Sequence, residues 1–266
     1  MERSTKLRAA SSDEAVVEWG SCPEHGRYPK WVSDPKNPSG RPMLKYASCP
    51  VCEAERKHKA KFRRASIPSR FEGCTVNSYK AVNPGAEKAK SLIVEFCRQI
   101  GGHLNRGHSI ILAGNYGTGK THLACAVAKC ALNEGFSAQF VTVRQMLRDI
   151  RETWKKDARE SEADAIKRFT SVDLLVLDEV GAQTGSENEA LLLFDVIGER
   201  YANMKSTILI SNFPVSITDE ERDDGGRTIG DYLGGRILDR FCELGSLVIP
   251  FTWKSYRGSR SEGSAA

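Results

Sequence analysis

The sequence Ile-Ile-Leu-Ala-Gly-Asn-Tyr-Gly-Thr-Gly-Lys-Thr-His-Leu-Ala-Cys-Ala occupies residues 110–126 and decides the fold. Its first four residues are apolar and predict a buried strand, and the apolar residues after Lys120 recur at helical spacing. Between them lies a loop with three glycines. The order strand, glycine loop and helix, with Gly-x-x-x-x-Gly-Lys-Thr at 114–121, predicts a phosphate-binding loop. A glycine-rich turn that binds nothing is the alternative, and the flanking strand and helix disfavour it.

The residue types in this loop suit the binding of ATP with Mg²⁺. Glycines let backbone N–H groups approach phosphate oxygens because no Cβ stands in the way. The N-terminus of the following helix adds the positive end of its dipole. Lys120 is expected to neutralise the β- and γ-phosphates, and the Thr121 hydroxyl to ligate Mg²⁺. The predicted nucleotide-binding residues of the loop are Gly114, Asn115, Tyr116, Gly117, Thr118, Gly119, Lys120, Thr121 and His122.

Strands and helices alternate along the rest of the chain. Further apolar strands are predicted at 138–143, 172–179, 206–211 and 247–251, and helices at 145–168 and 188–204. This alternation predicts an α/β fold with a doubly wound parallel sheet and helices on both faces. The chain after Arg240 is too short for a full helical lid domain. Ligands of such sheets bind at the carboxyl ends of the strands, and Gly114, Asp178 and Asn212 fall at such ends.

Two carboxylates and three cations complete the predicted catalytic set. Asp178 is expected to hold Mg²⁺, and Glu179 to orient and deprotonate the attacking water. Asn212 is placed to hydrogen-bond that water or the γ-phosphate, although an ordinary turn residue is its alternative. Phosphoryl transfer needs a further positive charge, often from a neighbouring subunit. The candidates for that trans charge are Arg240 and then Arg236, and Arg257 is a candidate γ-phosphate sensor.

A separate module is predicted before residue 67. Cys22-Pro-Glu-His25 and Cys49-Pro-Val-Cys52 are two knuckles with two-residue gaps. Together they supply the four N and S ligands that Zn²⁺ binds tetrahedrally. The stretch between them is poor in apolar residues, so a metal would have to supply the fold. Free thiols in a flexible tail are the alternative. The predicted domains are therefore 1–66 (zinc module), 67–258 (ATPase domain) and 259–266 (disordered tail).

Composition limits the location and the class of the protein. The 266 residues carry a net charge of +5, which is compatible with nucleic-acid binding without indicating it. No apolar run approaches the roughly 20 residues of a membrane span. Residues 1–12 are polar and show no secretory signal. We therefore expect a cytoplasmic protein without membrane contact.

The segment from about Phe71 to Arg257 resembles the DnaC-type replicative-helicase loaders of bacteria and phages. These are close kin of the IstB transposition ATPases within the AAA+ class of P-loop NTPases. The resemblance is carried by residues 71–79, 114–121, 172–181, 211–212, 235–240 and 253–257. It implies a DnaB-type helicase as partner for the N-terminal region, and ATPase domains that self-associate on single-stranded DNA. It also implies that Arg240 acts in trans and that Arg257 is the second sensor.

The resemblance further implies DNA contacts at Trp154, on which a base can stack, and at Ser186. A tryptophan that only packs its own helix onto the domain is an equal alternative for Trp154. The zinc module departs from loaders whose N-terminal domain is purely helical. For the whole chain, two rivals stay open: an IstB-like transposition accessory ATPase, and a nucleotide-dependent scaffold with little hydrolysis.

Overall fold

The computed structural model describes residues 15–33, 41–182, 187–217, 221 and 226–256. They form two compact units, which divide between Lys61 and Phe62. The division falls inside helix α1 (Pro50–Arg64), whereas the sequence-based boundary lies just after that helix. None of the described helices is both long enough and apolar enough to cross a membrane.

The N-terminal unit is a small antiparallel sheet followed by α1. Its strands β1 (Val16–Cys22), β2 (Gly26–Val32) and β3 (Met43–Leu44) lie in sequence order. One small apolar cluster of this unit has Cys22, Tyr28 and Cys49 as its buried members. Two of these three are predicted metal ligands, so the ligands themselves supply much of the apolar centre.

The C-terminal unit is built on a five-stranded parallel sheet. Its strand order is β5-β6-β7-β4-β8. The strands are β4 (Ile110–Gly114), β5 (Ala138–Thr142), β6 (Leu174–Val180), β7 (Ser206–Ser211) and β8 (Leu247–Phe251). The helices are α2 (Pro84–Arg98), α3 (Ile100–Asn105), α4 (Lys120–Asn133), α5 (Val143–Glu152), α6 (Glu162–Thr170), α7 (Glu187–Ala202), α8 (Ile229–Leu233) and α9 (Gly235–Glu243).

Helices cover both faces of this sheet. On β4, Ile110 and Leu112 pack with α2 and α4, whereas Ile111 and Ala113 pack with the opposite helix layer. Every residue of β4 is buried for this reason, as expected for a parallel strand between two helix layers. The predicted doubly wound fold is confirmed. In the described residues β8 is the last element, so no helical lid follows it.

The predicted continuous helix at 145–168 is wrong. Helix α5 ends at Glu152 and α6 begins at Glu162. The intervening residues are nearly all charged or polar, so they offer no apolar face to bury against the sheet. The Ser161 hydroxyl then caps α6 by accepting a hydrogen bond from the Asp164 backbone N–H at 3.2 Å.

A buried arginine links elements at the N-terminal ends of the strands, opposite the phosphate-binding loop. The side chain of Arg200 on α7 is fully buried. Its guanidinium donates to backbone carbonyls at the end of α6 and just before β6, and to a carbonyl and a hydroxyl at the start of β7. These acceptors are the oxygens of Phe169 (2.7 Å), Thr170 (3.3 Å), Val172 (2.9 Å), Asp173 (3.5 Å) and Ser206, and Oγ1 of Thr207 (3.0 Å). Burial lowers the pKa of Arg200 to about 9.

We expect Arg200→Met to lower the free energy of unfolding by about 3–5 kcal/mol, because buried acceptors lose their charged donor. The surface variant Arg98→Leu removes a cation from an exposed pair with Glu95 and should cost less than about 1 kcal/mol. Urea unfolding followed by circular dichroism measures both. Equal, small losses in the two variants would contradict the role given to Arg200.

Candidate nucleotide-binding site

The loop between β4 and α4 is closely packed at positions where only glycine fits. Gly114 has φ +125°, and a Cβ there would lie 2.4 Å from the backbone oxygen of Phe251. Gly119 has φ +94°, and a Cβ there would lie 2.5 Å from Cε2 of Tyr79. The positive φ angles turn the backbone sharply before α4 starts at Lys120. We call this loop, residues 114–119, the cradle, because a glycine loop that ends at a helix N-terminus suits a phosphate group.

Lys120 is buried at the base of this cradle. Only 5% of its side-chain surface is exposed. Its Nζ donates to the backbone oxygens of Gly114 and Asn115, both at 2.6 Å. Burial lowers the pKa of Lys120 to about 8, against the opposing attraction of Asp178. A desolvated cation with only neutral hydrogen-bond acceptors gains from an anion in the cradle, as a phosphate would be.

The carboxylate of Asp178 faces the start of α4. Its Oδ2 accepts a hydrogen bond from Oγ1 of Thr121 at 3.0 Å, and its Oδ1 accepts one from the backbone N–H of Glu179 at 2.7 Å. Burial raises the pKa of Asp178, because the charged form is poorly solvated there. A hydroxyl and a carboxylate oxygen are ligands that Mg²⁺ prefers. The predicted pair of magnesium ligands, Thr121 and Asp178, is therefore brought together.

An irregularity in the β6–β7 pairing lies at the two acids. The register shifts between Leu177 and Val180, and Glu179 has φ +60°, whereas Asp178 still pairs with Thr142 of β5. Bulges of this kind re-aim side chains beside functional sites, and a non-glycine residue at positive φ is strained. Asp178 is half-buried and Glu179 is exposed, while Val180 returns to the core. Nothing in the sequence indicated this bulge.

The end of β8 is attached to the loop. The backbone N–H of Asn115 donates to Phe251 at 2.7 Å, and its side-chain amide donates to the backbone oxygen of Thr252 at 2.8 Å. Further along, the backbone N–H of Tyr256 donates to the oxygen of Gly117 at 3.0 Å. Arg257, the predicted sensor, follows Tyr256 and lies outside the described residues.

The segment before α2 packs against the other side of the loop. The Tyr79 hydroxyl, which is buried, donates to the backbone oxygen of Thr118 at 2.8 Å. His122 Nε2 donates to the oxygen of Thr75 at 2.9 Å, and its Nδ1 lies 3.2 Å from Sγ of Cys74. Both ring nitrogens of His122 are thus engaged by this segment. Sequence reasoning missed Tyr79 as a site residue, although the segment 71–79 carried the family resemblance.

The profile of the family described as "IstB-like ATP binding protein" matches residues 52–263. The chain belongs to this family. Among curated relatives, the "Replicative helicase loader DnaC" of Escherichia coli (strain K12) is 29% identical over 201 residues, which is 76% of each chain. The DnaC-type resemblance and the AAA+ P-loop fold are therefore confirmed.

Solved structures share the fold. One is the crystal structure of the DnaC helicase loader, with TM-score 0.57 and 23% identity, covering 68% of this chain and 99% of that one. Another is the replication initiator DnaA bound to AMPPCP and single-stranded DNA, with TM-score 0.54 and 22% identity. It covers 71% of this chain and 52% of that one. At these identities the likeness shows the fold alone.

The other predicted nucleotide-site residues lie at opposite ends of the parallel strands. Asn212 directly follows β7 and is exposed, at the same carboxyl edge of the sheet as Gly114 and Asp178. Tyr116 is 72% exposed at the tip of the loop. Arg240 lies elsewhere: together with Ser109 and Thr207 it lines a small cavity at the strand starts. Arg240 is therefore not part of the nucleotide site of its own chain. Arg236, one turn earlier on α9, is exposed.

The predicted zinc ligands meet in the N-terminal unit. The ligand atoms of Cys22, His25, Cys49 and Cys52 all lie within 4.8 Å of one another. Sγ of Cys52 lies 3.5 Å from Sγ of Cys22 and 3.2 Å from Nδ1 of His25. Ligand atoms about 2.0–2.3 Å from a tetrahedral zinc ion are roughly 3.3–3.8 Å apart, so the set fits this metal. Hydrogen bonds from the backbone of His25 and Glu24 lower the pKa of Cys22 to about 6, whereas the hydrogen bond with Cys22 raises the pKa of Cys52 to about 12. Cys22 is therefore the thiol of this pair that ionises first.

Of the two predicted DNA contacts, the structure describes one. Trp154 lies in the turn after α5 and is 53% exposed, and its indole N–H donates to a carboxylate oxygen of Glu162. Beside it, α5 and the turn carry basic residues spaced along one helical face. These are Arg144, Arg148, Arg151 and Lys155, which line one groove. Ser186 lies outside the described residues.

The packing of Gly119 against Tyr79 gives a direct test of the cradle. We expect Gly119→Ala to weaken the binding of an ATP analogue about tenfold or more, because the added Cβ must displace the ring or the loop. Gly135→Ala, at the other end of α4, is the matched control: its φ is +98°, but nothing lies within 4 Å of the added Cβ.

Both variants should lose about 1–2 kcal/mol of stability from the positive φ. Isothermal titration and thermal unfolding separate the two effects. If both variants bind the analogue equally well, the packed cradle is not the nucleotide site.

Proposed function

We propose that this chain is an ATP-dependent loader of a DnaB-type replicative helicase. The observation that carries the proposal is the paired Thr121–Asp178 site beside the buried Lys120, in a chain of this family. The DnaC helicase loader, its relative over three quarters of its length, supports the choice of partner.

In the proposed reaction ATP is the substrate. Lys120 binds the β- and γ-phosphates, and the loop N–H groups between Gly114 and Thr121 surround them. Thr121 and Asp178 would hold Mg²⁺, which neutralises charge on the phosphate oxygens. Glu179, exposed by the bulge, takes the proton from the attacking water. Asn212 orients that water or the γ-phosphate, and Arg257 senses the γ-phosphate.

The proposed active site is shared between protomers. Arg240 lies away from the phosphate-binding loop of its own chain, which suits a guanidinium that acts on a neighbour. Such a charge lowers the barrier to phosphoryl transfer by stabilising the equatorial oxygens. ATP and single-stranded DNA together would order an oligomer that holds or opens the helicase ring, and hydrolysis would release it.

Binding to helicase is the test of the loader function. We expect the full chain with ATP and Mg²⁺ to co-purify with a DnaB-type hexamer and to move it onto single-stranded DNA. Glu179→Gln should bind ATP and the helicase but release it at least about tenfold more slowly, because the general base is lost. Pull-down and single-turnover loading assays measure these steps.

The rival functions predict other outcomes in the same experiment. Capture of a transposase but of no helicase would contradict the loader function and favour a transposition ATPase. Turnover that neither single-stranded DNA nor Glu179→Gln alters would contradict hydrolysis at this site and favour a scaffold.

We propose that the cysteine–histidine cluster binds zinc and holds the N-terminal unit together. Cys22 and His25 lie at the β1–β2 turn, and Cys49 and Cys52 at the start of α1. Behind His25, its Nε2 lies 3.5 Å from Oε1 of Glu55. Carboxylates in this position orient a metal-bound histidine and raise its basicity. Because the ligands also form the apolar centre, metal binding and folding would be coupled.

Metal analysis of the full chain should find about one zinc per protein. Cys49→Ser should lose it, whereas Cys242→Ser, at an exposed cysteine of the other unit, should keep it. Glu55→Gln should weaken zinc affinity about tenfold. Glu53→Gln, which alters a carboxylate that pairs with Lys57, should not. Zinc retained in full by Cys49→Ser would contradict this site.

We propose that single-stranded DNA lies along α5 and the turn that carries Trp154. The exposed indole can stack with a base, and the basic face of α5 can contact phosphates. Acidic partners already engage part of that face, including Glu189, which pairs with Arg151 at 2.9 Å. Stacking is therefore expected to matter more than charge here.

We expect Trp154→Ala to weaken binding to oligo-dT about tenfold, with Trp154→Phe close to the unchanged chain. Trp19→Ala is the matched control, because Trp19 is similarly exposed, at 48%, but lies in the N-terminal unit. Fluorescence anisotropy measures affinity, and thermal unfolding measures stability. A lower melting temperature with unchanged affinity would show that Trp154 only packs its own segment.

A further inference from the structure

The guanidinium of Arg240 packs against helix α7. The Cζ of Arg240 lies 5.2 Å from the centre of the Tyr201 ring, in the geometry of a cation–π contact. Gly198, one turn earlier on α7, has no side chain, so the guanidinium can lie close to the helix there. A Cβ on Gly198 would lie 3.3 Å from Nη1 of Arg240. The Tyr201 ring and the space beside Gly198 together determine the position of the guanidinium, and we call these two residues its seat.

A hydrogen bond from α9, the helix that carries Arg240, holds the Tyr201 ring. The Tyr201 hydroxyl donates to a carboxylate oxygen of Glu243, which lies one turn after Arg240 on α9. This hydrogen bond raises the pKa of Tyr201. Arg240 therefore contacts the ring of Tyr201, while Glu243 accepts a hydrogen bond from its hydroxyl. The ring cannot rotate away from Arg240 without breaking that hydrogen bond.

The guanidinium of Arg240 packs on a ring rather than on an acidic side chain. Within the described part of the chain, no carboxylate forms an ion pair with Arg240. A carboxylate would compete with phosphate oxygens for the N–H donors, whereas a ring face attracts the cation and takes none of them in an ordinary hydrogen bond. The seat thus restricts the position of Arg240 without neutralising it.

We infer that Tyr201 is a positioning residue for ATP hydrolysis on the neighbouring protomer: with Gly198 it holds Arg240 where the neighbour's γ-phosphate can be met. This inference rests on the proposed trans role of Arg240. It extends that role from one side chain to a unit of α7 and α9, in which Glu243 fixes the ring and the ring fixes the arginine.

Mixing experiments assign the effect to one side of the shared site. Lys120→Ala protein cannot use its own site but can donate Arg240, and Arg240→Ala protein has an intact phosphate site that needs a donor. We expect their mixture, with ATP, Mg²⁺ and single-stranded DNA, to recover turnover. Adding Tyr201→Leu to the donor should reduce the recovered kcat about tenfold, since small misplacements of a catalytic group are costly. The KM for ATP should stay within about twofold.

The same substitution on the recipient is the control. Tyr201→Leu in the Arg240→Ala chain has no arginine to position, so recovery should be unchanged. Gly198→Ala in the donor should reproduce the loss by displacing the guanidinium. Tyr201→Phe, which keeps the ring, should lose less than Tyr201→Leu. Leu191→Ala, at an exposed position of the same helix, should have no effect in either partner.

The outcomes separate the inference from the function on which it depends. No recovery in the mixture of single variants would overturn both the trans role of Arg240 and the inference. Recovery that is insensitive to Tyr201→Leu and Gly198→Ala in the donor would overturn the inference alone. An equal loss with Tyr201→Leu on either side would make Tyr201 a general stabiliser and would also overturn it.

Discussion

The ammonium group of Lys120 is buried with only the carbonyl oxygens of its own loop as close partners. A desolvated cation without an anion in direct contact is unfavourable, and its lowered pKa reflects that cost. Helix α4 begins at Lys120, so the positive end of its dipole lies in the same place. This arrangement supports the proposal that the loop binds a ligand that carries phosphate, and the other proposed site residues are considered around it.

The parallel sheet supplies the other groups because its strands end together. Asp178 and Glu179 lie near the end of β6, Glu179 at a bulge, and Asn212 directly follows β7, so all three lie at the same edge of the sheet. The end of β8 is tied to the loop through Asn115, so residues far apart in the chain border one crevice. Arg240, by contrast, lies on α9 beside the start of β7, and this separation is the reason for proposing that it acts on a neighbouring protomer.

Much of this could be predicted from local sequence. The pattern at 114–121 and the apolar runs of β4 to β8 determined the sheet, because period and glycine placement are local properties. The meeting of Cys22, His25, Cys49 and Cys52 in one cluster could be predicted from the spacing of two knuckles. The bulge at Glu179, the hydrogen bonds from Arg200 to backbone carbonyls and the packing of Arg240 on Tyr201 could not be predicted. Each of them depends on contacts between elements that are distant in the sequence. The break after α5 was missed because charged residues favour helix as readily as turn when burial is unknown. Residue 257 and residue 186 lie outside the described residues, so their roles stay predictions.

The most direct test of the central claim is the affinity for an ATP analogue with Mg²⁺ and with EDTA, in the unchanged chain and in Asp178→Asn. If Thr121 and Asp178 hold the metal that bridges to the phosphates, chelation should weaken binding in the unchanged chain and should have little further effect in the variant. Asp195→Asn, on α7, should behave like the unchanged chain. Affinity that neither EDTA nor Asp178→Asn alters would contradict the account.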